Sequence, residues 1–235
     1  MEIKGFVGVS LSDWDGKVSS VIFLPRCNLR CPFCYNQSLV LHPENRPTIT
    51  VGQIESYLET NQMWIDGVVI TGGEPTLHED LGLLCERIKK IGLDVKVDTN
   101  GTNPAIISSL IQKQFVDYVA LDVKAQLIEE KYSKVCGVDA KSFLGKIREM
   151  IQILLDGSVG YEFRTTVVPT LHQMEDIEKI CQAIKGCKKY ALQNFKSEVE
   201  TLNPEYQNLK PFSQVQMEDF LQVAKRIVPN AIVRG

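Results

Sequence analysis

Lys17-Val18-Ser19-Ser20-Val21-Ile22-Phe23-Leu24-Pro25-Arg26-Cys27-Asn28-Leu29-Arg30-Cys31-Pro32-Phe33-Cys34-Tyr35 is the stretch that decides the fold. Its opening, Lys17 to Leu24, is β-rich, and the chain passes through Pro25 straight into Cys27, Cys31 and Cys34. The cysteines therefore stand just beyond the end of a strand. The same plan recurs downstream. Gly67 to Thr71 reads as a buried strand that stops at Gly72-Gly73-Glu74-Pro75, a turn signal. Asp94 to Asp98 leads to Thr99 and the Asn100-Gly101 turn, and Tyr118 to Val123 carries Asp122-Val123-Lys124 at its end.

Helical patterns separate these strands. Val51 to about Asn61 follows Thr50 as N-cap, and Leu81 to Ile91 stops at Gly92. Further helices are predicted from about Ala105 to Gln114, Glu129 to Lys134, Ser142 to Leu155, Asp176 to Ile184 and Gln216 to Ile227. Strands at Tyr161 to Val168, Tyr190 to Asn194 and Ala231 to Val233 complete the alternation. The prediction is an α/β fold, a parallel sheet with helical crossovers closed into a partial or near-complete (β/α)6 barrel. Residues 1–235 are expected to form one domain, with a core at about 17–195 and a C-terminal helix and strand in 196–235. Parallel βα folds place their ligands at the carboxyl ends of the strands. That is where all four motifs fall.

Composition narrows the function. A chain of 235 residues with 44% hydrophobic content can bury a substantial core. A net charge of −3, from 26 basic and 29 acidic residues, gives no footprint for neutralising a phosphate backbone, so nucleic acid is not the expected partner. No apolar stretch approaches a membrane span, and Met1-Glu2-Ile3-Lys4-Gly5 lacks the succession of a signal peptide, so a cytoplasmic location without a membrane partner is expected. Seven cysteines, three of them crowded into one loop, suit a metal or catalytic group better than a disulfide framework. Cys85, Cys136, Cys181 and Cys187 are scattered and are expected to be buried as small hydrophobes.

Three thiolates in one tight loop would leave one iron of a 4Fe-4S cluster with an open coordination position, since such clusters usually take four. The competing reading is structural zinc, with Cys27, Cys31, Cys34 and His42 as tetrahedral ligands. Exposed backbone at Gly72 and Gly73, together with Glu74, could receive an ammonium group. Asp98 and Thr99 offer oxygens at a strand end, while strand alternation points Asp122 and Lys124 to one side. Arg164 lies in an apolar β run, where an unpaired charge is costly, so it should have a partner inside the barrel. His172 is expected to be a solvated loop residue.

The CxxxCxxC spacing with Phe33 and Tyr35, followed by Gly72-Gly73-Glu74-Pro75, resembles the radical S-adenosylmethionine superfamily. That resemblance implies a 4Fe-4S cluster on Cys27, Cys31 and Cys34, and S-adenosylmethionine chelating its open iron. Electron transfer would cleave that cofactor to a 5'-deoxyadenosyl radical. Residues Gly72 to Glu74 would contact the methionyl amine, and Tyr35 would stand beside the cofactor.

Asp98-Thr99-Asn100-Gly101 and Asp122-Val123-Lys124 narrow the resemblance to glycyl-radical-enzyme activases, above all the activating proteins of anaerobic ribonucleoside-triphosphate reductase. This implies Asp98, Thr99 and Asp122 as ligands of a monovalent cation. Lys124, Asn100 and Arg164 would lie near the cofactor, and Gln193 and Phe195 near its adenine. A glycyl-radical enzyme would be the partner, and a flavodoxin or ferredoxin the electron donor. Tyr35 stands where histidine is frequent, and Pro25-Arg26 replace a glycine-containing approach, so the link to that reductase is looser than the link to the superfamily. Other readings are a radical enzyme acting on a small molecule, peptide or tRNA base, and a noncatalytic zinc module.

Overall fold

In the computed structural model, residues 1–197 and 199–234 are described. Eight strands form one sheet in the order in which they occur along the chain. They are β1 (Gly5–Ser10), β2 (Ser19–Leu24), β3 (Gly67–Gly72), β4 (Asp94–Thr99), β5 (Tyr118–Asp122), β6 (Gly160–Val167), β7 (Tyr190–Asn194) and β8 (Ala231–Arg234). From β2 to β8 every pairing is parallel, while β1 runs antiparallel to β2. The helices are α1 (Gln37–Leu41), α2 (Val51–Asn61), α3 (Leu81–Ile91), α4 (Pro104–Gln112), α5 (Glu129–Cys136), α6 (Leu144–Leu155), α7 (Met174–Ala183) and α8 (Gln214–Lys225). The sheet ends at β1 on one side and β8 on the other, which makes it an open, partial barrel of the expected α/β class. Among the described residues no helix is long and apolar enough to cross a membrane.

Local chemistry explains most boundaries. Thr50 and Gln53 form a reciprocal capping box at the start of α2. Left-handed Gly92 and Gly137 end α3 and α5, where any side chain would be strained. Two elements depart from expectation. β1 was not predicted, because Gly5-Phe6-Val7-Gly8-Val9-Ser10 has two glycines in six residues; the edge strand is held by its register with β2 and by Tyr57, whose ring covers Gly8 and meets Phe6 edge-on. The apolar run Leu39 to Leu41, for which no helix was predicted, forms α1, which buries Leu39 and Val40.

The large core lies between sheet and helices, drawing on Ile22, Val68, Val97 and Leu121 from the strands and Leu84, Ile107, Ile147 and Ile180 from the helices. Among the described residues a second, small apolar group of Trp14, Val21 and Val69 packs inside the curve of the sheet, with Phe23 and Tyr118 against it. Charged groups also line the interior. Lys96 and Glu162 are each 2% exposed and lie 3.4 Å apart, and Arg234 donates to Glu162 at 2.7 Å. Such pairs persist because each buried charge has a partner. The charged lining continues upward to the carboxyl ends of the strands.

Candidate active site

The cysteine loop is held open by backbone bonds to its neighbours. Arg26 takes a left-handed conformation, with φ of 64°, and its N–H donates to the Leu39 carbonyl of α1 at 2.9 Å. Gly73 N–H donates to Leu24 O and Glu74 N–H to Arg26 O, each at 2.8 Å, so the turn after β3 is stitched along the entrance to the loop. A Cβ on Gly73 would stand 1.8 Å from Arg26 O, and one on Gly72 would stand 2.5 Å from Leu24 O. Both glycines are therefore demanded by close approach of backbone to backbone. On the far side, Arg30 N–H donates to Cys136 O at 2.8 Å, and a Cβ on Gly137 would meet Arg30 O at 2.1 Å.

A cavity of about 160 Å³ opens at this end of the barrel, and Cys27, Cys31 and Cys34 all line it. So do Tyr35, Gly72, Gly73, Glu74, Asp98, Thr99, Asn100, Asp122, Lys124 and Arg164, which places nearly every predicted site residue around one space. The exceptions are Gln193 and Phe195: Phe195 is buried in the core, Gln193 is half-buried in β7, and neither lines the cavity. Gln193 pairs in register with Thr166, which does line it. His42 also stays outside, exposed and paired with Glu44 at 3.3 Å. Among the described residues no three Cys, His, Asp or Glu side chains converge closely enough to hold one metal ion.

Glu74 is 1% exposed and is saturated by protein donors. Its Oε1 accepts from Thr76 N–H, the Thr76 hydroxyl and the Thr99 hydroxyl, and its Oε2 accepts from Asn100 N–H at 2.7 Å. Burial pushes this carboxyl above its ordinary value, while the donated bonds pull it down. The side chain thus ties β3 to β4. With Gly73 and Glu74 N–H groups already spent, the turn offers carbonyl oxygens, which are the acceptors an ammonium group needs.

The carboxylates of Asp98 and Asp122 share one guanidinium. Arg164 donates Nε to Asp122 Oδ1 at 2.9 Å and Nη1 to Asp98 Oδ2 at 3.0 Å, which supplies the partner expected for that arginine. Lys124 Nζ lies 3.3 Å from Asp122 Oδ2. Burial opposes the charge on Asp122, but Arg164 and Lys124 outweigh it and hold the carboxyl below its ordinary range. Burial likewise opposes the Lys124 ammonium, and Asp122 with the nearby thiols raises it well above its usual value. Asp98 Oδ1 is buried without a hydrogen-bond partner, 3.7 Å from Lys96 Nζ. The Thr99 hydroxyl is engaged with Glu74 and Gly101 N–H.

Three contributors have no clear mark in the sequence. Cys136, expected to be an inert core residue, is buried as expected, but its thiol beside Cys31 helps hold the Cys31 thiol below its ordinary range, against the opposing effect of burial. For Cys27 burial dominates and pushes the thiol up to about 11. Asn36 donates its side-chain amide to Gly72 O at 2.7 Å. His172, expected in solvent, is 3% exposed; its Nδ1 accepts from Val168 N–H at 3.0 Å and its Nε2 donates to Lys124 O at 2.8 Å. It was missed because the loop after β6 folds back under the sheet end.

The family model described as the Radical SAM superfamily matches residues 21–184. A protein of Methanocaldococcus jannaschii, provisionally named a glycyl-radical enzyme activating enzyme, is 35% identical over 99% of this chain and 95% of its own length. The 7-carboxy-7-deazaguanine synthase of Neisseria meningitidis is 30% identical over 67% of this chain and 64% of its own. Among solved structures, Streptococcus suis SuiB bound to S-adenosylmethionine superposes with a TM-score of 0.69 at 16% identity, over 92% of this chain. This chain spans 52% of SuiB, so that likeness speaks for the fold. With a family model running from β2 through α7 and a relative aligned from end to end, the chain belongs to the radical SAM superfamily of enzymes.

Proposed function

We propose that this enzyme holds a 4Fe-4S cluster on Cys27, Cys31 and Cys34, binds S-adenosylmethionine beside it, and installs a glycyl radical on a partner enzyme. The observation that carries this reading is that the three thiols open on the same cavity as the glycine turn after β3, Lys124 just beyond β5 and Arg164 of β6. The competing zinc reading needs a fourth ligand, and His42 lies outside this cavity, paired with Glu44. When bound, the cluster and S-adenosylmethionine together supply a 5'-deoxyadenosyl radical able to remove a Cα hydrogen from glycine.

The chain's own residues position and shield. Carbonyls of the Gly72-Gly73 turn accept the methionyl ammonium, while Lys124 and Arg164 present positive charge to its carboxylate. Tyr35, 41% exposed at the cavity mouth, covers the cofactor from solvent. Arg164 is already the counter-ion of Asp98 and Asp122. A monovalent cation would be held from Asp98 Oδ1, the oxygen left without a donor. Gln193, paired with Thr166, and Phe195 would support the adenine side from β7 and its end.

The partner's glycine loop enters at the open end of the barrel, and an electron donor of the flavodoxin or ferredoxin kind reduces the cluster. Anaerobic ribonucleotide reductase is the partner to test first, since the relative's name points to a glycyl-radical enzyme. Reduced enzyme, S-adenosylmethionine and that reductase are mixed anaerobically and examined by electron paramagnetic resonance. A glycyl doublet on the reductase is expected. Formation of 5'-deoxyadenosine without that doublet would move the substrate to a small molecule, peptide or RNA base.

A further inference from the structure

Asn100, in the turn that ends β4, has its amide orientation fixed by a closed ring of hydrogen bonds. Asn28 Nδ2 donates to Thr102 Oγ1 at 2.9 Å, and that hydroxyl donates to Asn100 Oδ1 at 2.7 Å. Asn100 Nδ2 then donates to Asn28 Oδ1 at 2.9 Å, which closes the ring. Thr102 N–H adds a second donor to Asn100 Oδ1 at 3.0 Å. With that oxygen held by two donors, the amide cannot flip. Its second N–H is aimed at Cys27, with Nδ2 3.8 Å from Sγ. Leu29 N–H approaches the same sulfur at 3.4 Å.

We propose that Asn100 is a positioning residue that hydrogen-bonds the Cys27 sulfur and raises the reduction potential of the cluster held there. The proposal rests on the reading of Cys27 as a cluster ligand. Its physics is general: reduction adds negative charge that spreads onto the ligand sulfurs, and a donor to sulfur stabilises the reduced form more than the oxidised one. The donor is well placed to act, because Asn100 is 5% exposed and Thr102 2% exposed, so water competes little for the bond. The ring also explains why an amide stands here. A hydroxyl could tie Asn28 to β4, but only an amide nitrogen has two hydrogens, one for Asn28 and one for sulfur.

The test compares wild type, Asn100→Ser and Thr102→Val after anaerobic cluster reconstitution, titrated with a low-potential reductant in the absence of S-adenosylmethionine. Iron and sulfide content, and the potential at which the reduced-cluster resonance reaches half height, are read together. Asn100→Ser is expected to keep its cluster and lose about tenfold in the reduced-to-oxidised ratio at the wild-type midpoint, equivalent to about 59 mV for one electron. Thr102→Val, which loosens the ring but leaves the donor, shifts the same way by less. It also carries the test if Asn100→Ser loads poorly. Loaded variants titrating with wild type would reduce the ring to a structural tie and overturn the proposal. A wild-type chain that loads no 4Fe-4S cluster would instead overturn the ligand assignment beneath it.

Discussion

Thr99 donates its hydroxyl to Oε1 of Glu74 at 2.8 Å, joining the end of β4 to the turn after β3. Glu74→Gln replaces one acceptor oxygen by a donor in a site where every neighbour donates. The loss expected is roughly 1.5–3 kcal/mol, the range for a bond to a charged group. Urea unfolding of the cluster-free protein measures it, and Glu74→Gln unfolding at the wild-type midpoint would contradict the splint role.

Arg164→Met leaves Asp98 and Asp122 buried without their shared cation. Breaking a buried pair from one side costs about 3–5 kcal/mol. The sign with pH follows from Asp122, whose folded carboxyl lies below its ordinary 3.8. In wild type that contribution is present above 3.8 and fades as pH falls through the lower, folded value. The gap between wild type and Arg164→Met should therefore narrow on acidification. Unfolding midpoints compared near neutrality and well below pH 3.8 read it. A gap that widens in acid would show that the pairing is not what stabilises this end of the barrel.

Gly73→Ala forces a methyl to within 1.8 Å of Arg26 O, a backbone atom that cannot swing aside. Overpacking of this kind costs roughly 1–3 kcal/mol. The strain falls on the entrance to the cysteine loop, so iron uptake during reconstitution should drop more than thermal stability does. Gly145→Ala, where a Cβ would meet nothing within 4 Å, is the control and should load normally.

His172 is held neutral, because burial lowers its imidazole from the ordinary 6.5. Below 6.5 the unfolded chain takes up a proton that folded His172 refuses, so this residue's contribution is full above that value and declines as pH falls toward the folded one. His172→Phe should cost about 1–3 kcal/mol at neutral pH, through the unmet Lys124 carbonyl and Val168 N–H. It should also flatten the profile below pH 6.5. Calorimetry across that window checks both.

Much of this was legible in the chain because the determining signals are local. The strand into Cys27, the turn after Thr71, and the stops at Gly92 and Gly101 all depend on neighbours in sequence, so β2 to β8 and helices α2 to α8 emerge close to their observed ends. The grouping of the four motifs followed from the topology of parallel strands. What was hidden depends on distant partners. Cys136 gains its place from Arg30, His172 from the Lys124 carbonyl, and β1 from pairing with β2. The saturation of Glu74 was equally invisible, since its donors come from two separate turns. Gln193 and Phe195 mark the limit of strand-end reasoning: their position in sequence did not bring them into the cavity lining that the other site residues share.

The central claim, that Cys27, Cys31 and Cys34 hold a cluster which cleaves S-adenosylmethionine, is tested most directly by anaerobic reconstitution of wild type and Cys31→Ala with iron and sulfide. The account predicts about four irons and four sulfides per wild-type chain, with reductant-dependent release of 5'-deoxyadenosine, and loss of both in Cys31→Ala. Stoichiometric zinc with no deoxyadenosine from wild type, or undiminished deoxyadenosine from Cys31→Ala, would contradict it.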